Sequence, residues 1–457
     1  MKTLRNTMRW TVMIQLSLLI PLFTLTAQEK KISLDYERFI LPNGLNVILH
    51  EDHTTPTVSV NMVYFVGSGH ERVGRTGFAH LFEHLMWEGS TNVPEGKFDE
   101  WLEGAGGSNN GSTNTDRTNY FDDIPSNALE LALFLESDRL GYLVEGMTPD
   151  VVDGQRDVVK NERRQSYENR PYGMAWIELV ENLYPPGHPY SWPTIGYMED
   201  LSAASFEDVI AFNRKYYVPN NVSLAIAGDI DLEKTKTLVA KWFSEIPPGE
   251  AVSQIDFVPA QLSEEKRKTI EDDVQLPRLY MTWLTPAFYN PGDAELDVLG
   301  DILANEKNSR LYKRLVYDLQ IAQDVTAFQW SRQFSSQFVL YVTARPDVSL
   351  KELESVIQEE LDRIKTETPT EREVQRVVNQ IEAGFFRNLE RVGGFSGKAA
   401  AMNEYFFRTG NPDYFNEDLY RYKSLSPNDI QAIAATYLKD DGRFILSIVP
   451  QTEQSAE

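Results

Sequence analysis

The chain contains no cysteine, which excludes both a disulfide framework and a lipid-modified N-terminal cysteine. Its stability must come from burial, with a bound metal as the remaining kind of cross-link. It also lacks an excess of basic charge. Lys and Arg number 44 against 68 Asp and Glu, a formal net charge of -24, and nucleic-acid binding needs clustered cations that neutralise phosphates. A nucleic-acid partner is therefore excluded. The acidity could attract cationic peptides, but no acidic run is concentrated anywhere, so solubility is a sufficient explanation. Histidine is scarce too, with 6 in 457 residues, so any two at a meaningful spacing carry weight.

The chain has the composition of a folded protein, 42% hydrophobic and 25% charged, and its length predicts two to four domains, most economically two large halves. Lys2, Arg5 and Arg9 precede an apolar segment from about Thr11 to Ala27 that ends Leu25-Thr26-Ala27. This is the pattern of a secretory signal peptide. It predicts a mature chain beginning near Gln28, in the periplasm or secreted. Pro21 and the short length argue against a spanning helix, which leaves an uncleaved N-terminal membrane anchor as the alternative.

Asn43-Gly44 between two apolar runs predicts a hairpin over Arg38 to His50, followed by a strand over Val58 to Val66. Helical patterns cover Gly77 to Glu88 with Thr76 as a candidate N-cap, then Ala128 to Leu143 and Pro149 to Glu168. Val222 to Gly228 reads as a buried strand with a helix behind it. Pro247-Pro248-Gly249 opens a linker-like stretch. Beyond it the order begins again: a strand at Arg278 to Leu284, helices at Ala294 to Ala304, Leu350 to Lys365 and Glu371 to Arg391, and a last strand at Phe444 to Val449. The expected fold is α+β, two related units that each pack helices on a mostly antiparallel sheet. The divisions are 1–27 signal, 28–250 first domain and 251–457 second domain.

His80-Leu81-Phe82-Glu83-His84 carries the chemistry. Residues four apart on a helix lie one above the other, so both imidazoles face one side and can bind one metal ion. Zn²⁺ lowers the pKa of a coordinated water to about 7, and Glu83 is close enough to take its proton. The alternative is a helix with two incidental histidines.

This reversed order of His-Glu-x-x-His belongs to the inverzincins, and here the chain resembles the pitrilysin/insulinase family, in the branch of the mitochondrial processing peptidase and its bacterial relatives. The resemblance rests on Gly77 to Met86, Gly106 to Tyr120, Arg156 to Glu162 and Ala227-Gly228-Asp229, and it covers nearly everything after the signal. It implies a zinc-dependent endopeptidase acting on peptides or unfolded segments, with Glu83 catalytic and Glu162 as third ligand beside His80 and His84. Glu136, Glu168 and His188 are competing ligands: Glu136 reads as a helix-surface charge, Glu168 as solvated and His188 as structural. Relatives often carry a supporting glutamate where this chain has Gln155. The resemblance makes Asn110, Gly111, Ser112 and Thr113 substrate-binding positions on an edge strand; without it, the segment reads as a solvated loop.

The second half lacks a histidine in the helix matching the motif, Leu296 to Leu303. Active relatives place an Arg and a Tyr seven residues apart in a second half or partner subunit, and Val316 and Gln323 stand at those places here. The resemblance thus implies a homologous partner subunit supplying that pair. The alternatives are a homodimer using Arg310 or Tyr312, and a non-catalytic assembly or peptide-binding subunit with a vestigial metal site.

Overall fold

Gly44 takes φ +90°, a left-handed conformation open to glycine, and this turn pairs β1 (Glu37–Ile40) antiparallel with β2 (Asn46–Glu51). The computed structural model describes residues 31–253, 255 and 259–451. The expected signal segment, 1–27, and the start at Gln28 lie outside the described residues. Strands β3 (Thr57–Tyr64), β4 (Ser108–Thr113), β5 (Thr118–Pro125) and β6 (Val222–Gly228) complete a sheet of order β1-β2-β6-β3-β5-β4. Every residue of β6 is buried, as its unbroken apolar run predicts for a strand covered on both faces.

The second sheet contains β7 (Lys266–Asp272), β8 (Arg278–Thr285), β9 (Ala322–Trp330), β10 (Ser336–Ala344) and β11 (Arg443–Pro450), in the order β7-β11-β8-β10-β9. With β1 set aside, the two orders correspond strand for strand. Each sheet is antiparallel except for one pair in the same place, β2 with β6 and β11 with β7. The fold is α+β, two mixed sheets with helices.

Helices of the first half are α1 (Phe78–Leu85), α2 (Lys97–Gly104), α3 (Leu129–Gly146), α4 (Pro149–Arg163), α5 (Ala175–Leu183), α6 (Met198–Ala203), α7 (Phe206–Tyr216) and α8 (Leu232–Phe243). Those of the second are α9 (Asp293–Leu303), α10 (Leu350–Thr366), α11 (Glu371–Leu389), α12 (Lys398–Thr409), α13 (Phe415–Lys423) and α14 (Pro427–Tyr437). Thr148, Ser205, Asp231, Ser349 and Thr370 cap their helices by accepting a backbone N–H three residues on. The helix expected to run to Glu168 is α-helical only to Arg163 and continues as a wider π turn. Among the described residues no helix is long and apolar enough to cross a membrane.

Each sheet has its own core, yet from Ser33 onward the chain is one compact unit. The reason is an exchange of helices. Ala175, Leu179 and Leu183 of α5 pack on Tyr280, Val339, Phe444 and Leu446 of the second sheet. In return α12 lies across β3 and β6 of the first. Its Asn403 is fully buried and donates to the Asn61 carbonyl at 3.1 Å, the Asn61 side-chain oxygen at 2.9 Å and the Ser223 carbonyl at 2.9 Å.

Removing this amide takes a donor from three buried acceptors, of which the Asn61 side-chain oxygen keeps Asn119 at 3.2 Å, and such a loss costs about 1–3 kcal/mol. Asn403→Ala should therefore lower the denaturant midpoint of unfolding. A midpoint equal to the parent's would mean that the exchanged helix is held by apolar packing alone.

Candidate metal centre

Helix α1 opens without a side-chain cap of its own. Gly77 precedes it at φ +86°, and a Cβ there would come within 2.9 Å of the Ile195 carbonyl oxygen. The expected cap, Thr76, does something else: its N–H and hydroxyl both donate to Asp200, at 3.1 and 2.7 Å. The first N–H groups of the helix are met by Glu71, whose carboxylate accepts from Gly77 at 2.9 Å and Ala79 at 2.8 Å. Burial pushes the Glu71 carboxyl well up, against the pull of these donors. Phe78, Leu81, Phe82 and Leu85 are buried along one side of α1. His80, Glu83 and His84 are left on the other.

The two imidazole rings stand edge to face, with centroids 4.9 Å apart. Glu162 approaches from α4, which is anchored by buried Val152 and Val159. Its Oε2 lies 3.3 Å from His84 Nε2 and 3.6 Å from His80 Nε2. Among the described residues these three form the one group of carboxylates and histidines close enough to hold a metal ion. Zinc ligands at about 2.0–2.1 Å in a tetrahedron are separated by about 3.3 Å, close to the two distances from Glu162 to the histidines. Burial lowers the His80 pKa to about 4, keeping its imidazole neutral and able to ligate at pH 7. Hydrogen bonding to His84 holds Glu162 below the usual carboxylate range.

Glu83 is half-buried beside this group. Burial raises its pKa, opposed by a hydrogen bond from the Thr113 hydroxyl. Thr113 ends β4, and Asn110, Gly111 and Ser112 precede it on the same strand, which forms one edge of the first sheet. The segment is thus a strand, not a solvated loop.

The competing ligands lie elsewhere. Tyr190 N–H donates to His188 Nδ1 at 3.0 Å, and the ring of His188 stacks on Tyr184. Glu168 pairs with Arg163 at 3.0 Å. Glu136, expected on the surface, is wholly buried: its carboxylate pairs with Arg139, whose guanidinium lies 4.3–4.6 Å from the ring centroids of Trp87, Phe98 and Tyr120. Gln155 donates to Glu88 at 2.6 Å. Glu71, Asp200 and Arg139 carried no signal in the sequence, because each acts on a partner through tertiary packing rather than at a fixed spacing.

In the second half α9 occupies the place of α1 without histidine. Val316 packs against the second core and Gln323 is exposed. Arg310 is bound to Glu373 at 2.7 Å and Tyr312 is packed on the same core.

Residues 46–180 match the family model described as insulinase (peptidase family M16), and residues 203–381 match the peptidase M16 inactive domain. A relative named zinc protease PqqE, from Helicobacter pylori, is 28% identical over 409 residues, 89% of this chain and 90% of that protein. The crystal structure of a protease from Helicobacter pylori superposes with a TM-score of 0.86 at 27% identity, covering 91% of this chain and 100% of that one. The periplasmic protease PqqL from Escherichia coli shares the fold, with a TM-score of 0.75 at 18% identity; 92% of this chain matches 48% of that one.

Because Glu71 holds the start of the helix bearing both histidines, Glu71→Ala should weaken zinc binding about 10- to 100-fold, as loss of a group that orients metal ligands does. Competition with a chromophoric chelator measures this. Unchanged affinity would mean that α1 keeps its place without Glu71.

Proposed function

Since both halves of this chain belong to the peptidase M16 family, we propose that it is a zinc-dependent endopeptidase acting on peptides or unfolded segments outside the cytoplasm, as the zinc-bearing member of the branch related to the mitochondrial processing peptidase. The observation that carries this reading is the convergence of His80, His84 and Glu162 next to Glu83 and the edge strand β4. When bound there, zinc supplies Lewis acidity toward a peptide carbonyl and acidifies water.

The chain's own residues do the rest. Alternate residues of β4 turn their N–H and C=O groups outward, where an extended peptide can pair with them and be read mainly by its backbone. Asn110 to Thr113 are the positions that would bind it. Glu83 takes a proton from the attacking water on a carboxylate oxygen and returns it to the leaving nitrogen. Burial favours that proton-holding form, and the Thr113 hydroxyl fixes the carboxylate's direction.

The reading extends to a partner. An oxyanion donor is often worth a factor of about a hundred or more in rate, and Val316 and Gln323 offer none. Arg310 is already committed to Glu373. A homologous subunit carrying the Arg and Tyr would supply them and close a chamber over β4. The match of this chain to about half of a longer protease suits two such bodies working together. The basic and apolar N-terminus supports export, and the intact mass of the exported protein reads the cut expected near Gln28.

Glu83→Gln should retain zinc and lose most peptidase activity, because Gln cannot accept the proton; His80→Ala, His84→Ala and Glu162→Ala should lose the metal as well. Metal content measured beside activity separates these cases, and zinc binding by Glu162→Ala equal to the parent's would remove Glu162 from the ligand set. The isolated chain should be a poor peptidase until its partner is added. Full, chelator-sensitive turnover by a pure homodimer, with mass read by size exclusion, would overturn the two-chain arrangement.

A further inference from the structure

Strand β4 has two faces, and only one of them looks toward the metal group. On that face Thr113 hydrogen-bonds Glu83 and Asn109 donates to Asp99 of α2 at 2.8 Å. Side chains alternate along a strand, so Asn110 and Ser112 belong to the other face, cross-strand from Phe121 and Asn119 of β5. There the end of α11, the segment 390–397 and the start of α12 stand off from β5 and enclose a cavity of about 320 Å³.

Three features define what this cavity can take. Its walls combine an apolar and aromatic side, with Phe385 and Leu389 from α11 and Ala400 and Ala401 from α12, with polar groups of about equal extent. Phe395 is at its lip: it meets Phe121 edge to face at 4.9 Å, yet is 53% exposed. The charged groups that line it are Arg117, Glu404 and Asp418, and each is already engaged, Asp418 with Arg421 and the Tyr405 hydroxyl, both at 2.7 Å. Arg117 donates to the Ser112 carbonyl and hydroxyl at 2.8 and 2.7 Å, and its Nε lies 3.6 Å from Glu404, which also accepts from Arg408 at 2.6 Å. A charged side chain entering here would have to compete with these existing pairs, so the space suits an uncharged, bulky one.

We propose that this cavity is a substrate subsite for an aromatic or large apolar side chain of a peptide paired with β4, in alternation with the side chains that face Glu83. The inference rests on the reading of β4 as the substrate-pairing edge. It converts recognition by backbone alone into a preference. Arg117 fixes the edge at Ser112 and forms part of the subsite wall, so the strand and the cavity hold a constant relation.

The test uses the purified zinc-loaded chain with whatever subunit copurifies, and peptides identical except for Phe, Ala, Lys or Glu at each successive position. Cleavage is read by mass spectrometry, and binding by fluorescence anisotropy on the Glu83→Gln chain. Binding should favour Phe over Ala about tenfold or more at one register, or at alternate registers, as burial of an aromatic ring implies, with Lys and Glu no better than Ala. Ala401→Trp, which fills the cavity, and Phe395→Ala, which removes its lip, should erase that difference while binding of the Ala peptide is unchanged. Equal loss for Phe and Ala peptides, or the same preference in both variants as in the parent, overturns the subsite. If the parent shows no zinc-dependent cleavage but the Phe preference in binding is present and lost in Ala401→Trp, the peptidase reading falls and the subsite stands.

Discussion

Everything at the metal group depends on holding one short helix still. An eight-residue helix is too short to persist alone in water, and α1 has glycine, with no side chain to cap it, at its start. The Glu71 carboxylate meets its free N–H groups, where the helix dipole also favours negative charge, and Asp200 ties down the residue before. Just past the other end, Trp87 lies against the guanidinium of Arg139, a cation buried with Glu136 beneath the sheet. Two imidazoles one turn apart can be directed at a single point only if that turn cannot rotate or slide.

The second constraint is the exchange of α5 and α12 between the sheets. A sheet with one helical layer leaves its other face open, and each half covers the other's open face. The edge strand is consequently tied to the second half: Arg117 beside β4 faces Glu404 of α12, and Asp123 of β5 approaches Gly393 before it. The half without histidines is thus part of the frame around β4. Its own sheet repeats the topology, but α9, in the place of α1, carries no histidine.

What could be read in the sequence divides by the range of the interactions. The hairpin at Asn43-Gly44, the buried strand β6 and the side of α1 on which His80 and His84 lie follow from turn chemistry and periodicity, which are local. The repeated order of strands and helices was also legible, because both halves repeat the alternation. Glu136 was misread because a carboxylate on a helix is solvated by default. Its partner is Arg139 one turn on, but what buries the pair is the ring cage of Trp87, Phe98 and Tyr120, gathered from three separate elements. Nothing near Asn403 marks it as the amide that closes on Asn61 and Ser223, some 180 to 340 residues distant in sequence. Thr76 illustrates the same limit: it has the right side chain at the right place, and Asp200 takes its hydroxyl.

Strand β4 is the point at which these constraints meet. Its sequence, Ser-Asn-Asn-Gly-Ser-Thr, has none of the apolar alternation that drives a strand into a sheet, and its pairing with β5 is secured instead by the Arg117 guanidinium on Ser112. Free edges invite unwanted pairing and are ordinarily blunted by Lys, Pro or a bulge. Strand β4 has no such residue, and its pairing with β5 runs in continuous register from Ser108 to Thr113. Small polar side chains keep the edge soluble while leaving its backbone groups open. The corresponding edge strand of the second sheet, β9, differs in kind: it carries Phe328 and Trp330, packed against Trp176 of α5. Two sheets of one topology therefore use their matching edges for opposite ends. The edge of the second is bound into the frame, and the edge of the first is kept regular beside Glu83, an arrangement that suits the proposed pairing with an extended substrate.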